Sequence, residues 1–124
     1  MRHAFALSSL AVASLSLAAC GAGIGEPLVC TSEFRHGIAV TVRDSVTGAP
    51  AETGTMVLAV DGAFRDSTDV SFGSGLYRLV GERPGTYQLI VRHAGYRDWT
   101  RSGVQVTSNA CHVNTTALTA LLQR

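Results

Sequence analysis

Lysine is absent from this 124-residue chain, and all ten of its cationic side chains are arginine. Nine acidic residues are interspersed with them. No block of like charge exists to steer nucleic acid or an anionic lipid surface from solution, so nucleic-acid binding is excluded as a function class. The arginine bias reads as codon preference in a GC-rich genome rather than as a phosphate-reading surface. Charge is scarce at 15% while apolar residues make up 46%, which excludes a disordered chain and suits one globular domain. After Cys20 no helical period appears, which excludes a helix bundle. His36, His93 and His112 are dispersed and no Cys/His cluster accompanies them, so no metal site or cofactor is expected. Asp66 and Asp69 in "RDSTD" match no calcium loop and read as a solvated turn. The serines lack the context of a nucleophile elbow.

What is present begins with an address. Arg2 and the terminal amine precede an uncharged run from Ala4 to Leu17, the length and texture of a signal-peptide core and too short to span a bilayer comfortably. It ends in Leu17-Ala18-Ala19-Cys20, which resembles the lipobox of bacterial lipoproteins. That resemblance implies cleavage before Cys20 and acylation of Cys20, with residues 1–19 as signal peptide. Loss of Arg2 then leaves nine cations against nine acids. Gly21, where an inner-membrane lipoprotein of many Gram-negative bacteria carries Asp, favours the outer membrane of the cell envelope in such a source. Residues 20–29 form the lipidated end and a flexible tether containing "GAGIGEP".

The odd cysteine count follows from this assignment. Cys20 goes to lipid, and Cys30 and Cys111 remain as one disulfide in an oxidising compartment. Neither has a Cys-x-x-Cys neighbour, so a redox-active pair is disfavoured. Closing a loop of roughly 80 residues is worth roughly 4 to 5 kcal/mol by chain entropy, less any strain.

Residues 30–124 read as short strands. Ile38, Val40 and Val42 alternate with Ala39, Thr41 and Arg43, and the turn-rich "DSVTGAP" ends that run. "TMVLAVDG" is apolar on both faces, as in a central strand, and closes on the hairpin signal Asp61-Gly62. "AFRDSTDVSF" is a weaker strand. Tyr77 with Leu79, and Tyr87 with Leu89 and Val91, predict a hairpin turning at Arg83-Pro84-Gly85 with one shared buried face. Val104 and Val106 mark another strand. "CHVNTTALTALL" from Cys111 to Leu122 marks a last one of ambiguous face, since Val113 and Ala117 lie on one alternation and Leu118 and Ala120 on the other. About seven strands at regular spacing predict an all-β sandwich, with the disulfide tying its first strand to its last.

The order Val40-x-Val42-x-Asp44-x-x-Thr47-Gly48-x-Pro50, Gly75-x-Tyr77-x-Leu79, and Pro84-Gly85-x-Tyr87-x-Leu89-x-Val91-x-x-x-Gly95-Tyr96 resembles the carboxypeptidase regulatory-like domain. The resemblance runs from about Ile38 to Leu122. It implies a seven-stranded transthyretin-like (prealbumin-like) β-sandwich, grouped with carbohydrate-binding-like folds. Each piece also has a physical reading: Gly48 and Gly85 supply turns, prolines stiffen them, and tyrosines and leucines fill the core. The motif therefore names a fold and no chemistry. Enzymes among the relatives are not matched. No His-x-x-Glu pair of a zinc carboxypeptidase follows His36, His93 or His112. The Tyr-Arg-Gly-Ser ending of the transthyretin-like hydrolase of urate breakdown is replaced by Leu121-Leu122-Gln123-Arg124. Asn114-Thr115-Thr116 matches a glycosylation sequon, discounted in a bacterial lipoprotein.

Two function classes stay open. One is a non-catalytic, lipid-anchored structural or protein-interaction module. The other is a carbohydrate-binding module using Tyr96 and Trp99 of "GYRDWTR", whose planar rings beside forked polar groups suit sugar faces. The competing reading places Tyr96 in the family's core motif and Trp99 at the sandwich edge. The expected partners are the membrane, through the lipid, and an envelope protein or glycan.

Overall fold

The computed structural model describes residues 25–124, so the signal peptide at 1–19 and the lipidated Cys20 lie outside the described residues. Seven strands follow in order: β1 (His36–Asp44), β2 (Thr55–Asp61), β3 (Phe64–Thr68), β4 (Leu76–Gly81), β5 (Gly85–His93), β6 (Trp99–Val106) and β7 (Thr116–Leu122). They form a three-stranded sheet β4-β1-β7 and a four-stranded sheet β3-β2-β5-β6. All pairings are antiparallel except β1 with β7, which is parallel from Ile38↔Thr116 to Asp44↔Leu122.

Period-two alternation creates the layers. Ile38, Val40 and Val42 of β1 are buried, and so are Val57, Ala59, Leu89 and Val91 of the facing sheet. Tyr77 and Tyr87 are the largest buried side chains. Each finds a partner for its hydroxyl: Tyr77 donates to the carbonyls of Ala51 and Glu52, and Tyr87 to that of Arg83. Burying an aliphatic chain of this size contributes about 1.5–3 kcal/mol, so these inward rows hold the two sheets together.

Several local expectations are corrected. β4 and β5 are not a hairpin, because they belong to different sheets. The chain turns the corner through left-handed Val80 (φ 61) and Glu82 (φ 46), which lift it out of the first sheet. Gly85 opens β5 rather than making the turn, and a Cβ there would lie 2.7 Å from the Asp61 carboxylate. Gly75 does need its freedom: at φ 76 its Cβ would strike the Val42 carbonyl, while its own carbonyl accepts the Val42 amide. β2 is internal to its sheet, yet only its Val57–Ala59 face is covered, and Met56 on the other is exposed.

β7 starts five residues later than the run beginning at Cys111, and its Leu118–Ala120–Leu122 alternation faces inward. Asp66 sits inside β3 instead of a solvated turn, and its carboxylate accepts the Val80 amide at 2.6 Å. That bond joins the edges of the two sheets.

Candidate functional site

Strand direction sorts the polar side chains to the two ends of the sandwich. β1 and β7 both run from a head, at His36 and Thr116, to a foot, at Asp44 and Leu122.

At the foot, Asp44 is the hub. It is 7% exposed and ends β1, and its Oδ1 accepts the amides of Val46 and Thr47 at 2.8 Å each. Its Oδ2 accepts the Tyr96 hydroxyl at 2.7 Å, with the Arg124 guanidinium 3.7 Å away. The Thr47 amide first, then the Tyr96 hydroxyl and the Val46 amide, hold this carboxyl far below the usual carboxylate range against the opposing effect of burial. An open cavity of about 570 Å³ lies beside it, between the Ser45–Thr47 turn and the chain's end at Leu122–Arg124.

Tyr96 and Trp99 are near this foot, and both are half-buried against the core. The Tyr96 ring meets His93 edge-on at 5.2 Å and carries the Arg124 guanidinium 5.1 Å from its centroid. Trp99 pairs with Val91 across β5 and β6, and Arg101 lies 5.5 Å over its ring. Each ring is thus engaged with its own neighbours, and the Tyr96 hydroxyl is used on Asp44.

At the head, Cys30 is bonded to Cys111, with their Cα atoms 5.3 Å apart. Both lie in loops, ahead of β1 and β7, instead of in the strands themselves. Parallel pairing of β1 with β7 brings the two loops together. Glu82 holds the same place from the corner between sheets. Its Oε1 accepts the Arg35 amide and His112 Nδ1, each at 2.8 Å, and its Oε2 accepts the Val113 amide at 3.3 Å. Burial raises this carboxyl, but the Arg35, His112 and Val113 donors outweigh it, and its pKa falls below the ordinary glutamate value.

His36, His93 and His112 do not meet. His36 lies edge-on to Phe34, while the His93 ring nitrogens lie 2.9 and 3.1 Å from the carbonyls of Ala94 and Thr53, one of which receives the N–H of the neutral ring. His112 lies between Glu82 and the Thr31 hydroxyl, 3.1 Å from Nε2. With Nδ1–H directed at Glu82, Nε2 accepts the Thr31 proton. Hydroxyl, imidazole and carboxylate stand here in the order a nucleophilic relay uses. The same atoms also fasten three segments around the disulfide. Among the described residues no three His, Cys, Asp or Glu side chains converge to hold a metal ion.

One feature escaped the sequence reading. The outer face of the three-stranded sheet presents Arg78, Ala39 and Ala117 in one row, and Leu76, Thr41 and Thr119 in the next. Over its head lie Phe34, His36 and Phe72, with ring centroids 5.1 and 6.2 Å apart in sequence along the cluster. Arg78 stacks 5.0 Å from Phe72. Phe34 falls before the strand and Phe72 in a loop, so no alternation marked them.

Fold and site define a seven-stranded sandwich module whose best-held polar groups serve its own ends. The model of the carboxypeptidase regulatory-like domain matches residues 37–119, and the chain belongs to that family. No curated protein matches it.

Proposed function

We propose that this chain is a lipid-anchored module of the bacterial cell envelope that works by contact and carries out no covalent chemistry. The observation that supports it best is the division of labour among its side chains. Asp44, Glu82, Tyr96, His93 and His112 are engaged in holding turns and loops, while an aromatic and arginine-bearing sheet face stays open. The Leu17–Cys20 motif behind its uncharged run supports the anchor. A sugar platform at Tyr96 and Trp99 gains no support, because each ring is half-buried and bound to separate partners.

Two measurements test the reading. Mass analysis of the N-terminal peptide should find acylated Cys20, and Cys20→Ser should release the protein from membranes or block its processing. Retention with unchanged processing would contradict the anchor. A screen with ester, peptide and glycoside substrates should show no turnover. Activity lost in His112→Ala would convert the Thr31–His112–Glu82 line into a catalytic site and overturn the contact role.

A further inference from the structure

We infer that the head of the three-stranded sheet docks on the phospholipid surface to which Cys20 is tied, with Phe34 and Phe72 seated at the headgroup–acyl boundary. The inference rests on the lipoprotein reading of Cys20.

Reach is the first argument. Nine residues separate Cys20 from Cys30, and Cys30 is pinned to Cys111 at the head of the sandwich. A chain of that length spans no more than about 36 Å even when fully extended. The acyl chains therefore hold the head within a few nanometres of the bilayer, and the foot lies a strand's length further along the sandwich.

Side-chain chemistry is the second. Leu28 and Val29 on the incoming segment are 67% and 84% exposed, and Phe34 and Phe72 are 64% and 54% exposed. Phe34 and Phe72 are joined through the His36 ring, and adjacent exposed apolar groups of this kind mark an interaction surface. Phenylalanine rings on a surface element bury into the headgroup–acyl boundary, and arginine stems run along apolar surface while the guanidinium stays at the phosphates. Arg78 stacks on Phe72 in that arrangement. Arg35 is paired with Glu33 at 3.0 Å, which neutralises the nearest carboxylate. Glu26, Asp66 and Asp69 are the other acids within eight residues of Phe34 or Phe72. No excess charge draws the domain in; the anchor does that, and the face settles.

Other occupants fit less well. The Phe34–His36 and His36–Phe72 ring planes meet at 89° and 65°, so the cluster offers no flat stacking platform for sugar rings. A second copy laid on the same face would bring two arginine-bearing rows together with no acid among the facing strand residues.

The test uses the full-length lipidated protein in vesicles of phosphatidylethanolamine and phosphatidylglycerol, 3:1, with brominated acyl chains. Native Trp99, at the foot, is the internal reference, and Phe34→Trp and Phe72→Trp each add one indole at an exposed position. Seating about 5–10 Å into the boundary should quench the added indole by roughly half or more, with little change at Trp99. A Phe34→Ser/Phe72→Ser double variant should stay anchored yet become more open to protease at residues 70–75. Vesicle-bound protein whose added indoles are quenched no more than Trp99 overturns the docked face and leaves the anchor standing. Protein that lacks an acyl chain on Cys20 and fails to float with vesicles overturns both.

Discussion

Asp44 and Glu82 are two carboxylates at opposite ends of one sandwich, and they are held in different ways. Asp44 takes two amides from the turn it begins, two and three residues on. Glu82 takes its donors from Arg35, His112 and Val113, which are 47, 30 and 31 residues away. The foot thus starts from a local turn, to which the Tyr96 hydroxyl is added from 52 residues away, while the head is closed by long-range clasps and a covalent bond. A local cap forms as soon as its own turn does. A long-range clasp needs the fold first, and in return it fixes the segment leading back to the anchor.

The largest effect should come from opening the head. Cys30→Ser should lower unfolding free energy by about 2–5 kcal/mol, measured by denaturant titration, as for a native disulfide in a small secreted domain. An unchanged midpoint would mean that Glu82 and His112 hold the loops alone.

Asp44→Asn comes next. It should lower Tm by roughly 5–10 °C at pH 7, and Glu82→Gln by less than half of that, because its Cys30–Cys111 neighbour persists. The pH dependence separates the carboxylates from the disulfide. Both folded-state pKa values are depressed, so their stabilisation is complete above about pH 4.5 and is lost as the pH falls below it. Urea midpoints at pH 7 and pH 3 should therefore converge in Asp44→Asn, where one of these titrations is gone. An undiminished acid effect in that variant would show that Asp44 is not the hub.

The smallest effect has the opposite sign. Thr55, 1% exposed and paired with His93 near the foot, has a hydroxyl without a hydrogen-bond partner. Thr55→Val should raise stability by up to about 1 kcal/mol, since the methyl needs none. A loss would reveal a bond to this hydroxyl that thermal motion makes and breaks.

The same contrast explains what the sequence discloses. The alternation of Ile38, Val40 and Val42 and of Tyr87, Leu89 and Val91 follows from period two alone, and the Asp44–Gly48 turn from spacing of three or four residues. The Asp61-Gly62 hairpin was legible for the same reason. The β4–β5 corner was not, because Pro84-Gly85 imitates a hairpin turn and nothing in Val80 or Glu82 announces a left-handed backbone. Parallel pairing of β1 with β7 follows from the global arrangement of two sheets, and it brings the loops of Cys30 and Cys111 together. Glu82 was invisible as a hub since each donor comes from a different segment. Phe34 and Phe72 lie outside strands, where no periodicity could single them out.

Hydrogen exchange of the lipidated protein on vesicles, compared with soluble Cys20→Ser protein, tests the division between the two ends most directly. Protection is expected at residues 28–36 and 70–78, with 44–47 and 96–101 unchanged. Protection centred on the foot, or none anywhere on vesicle-bound protein, would contradict it.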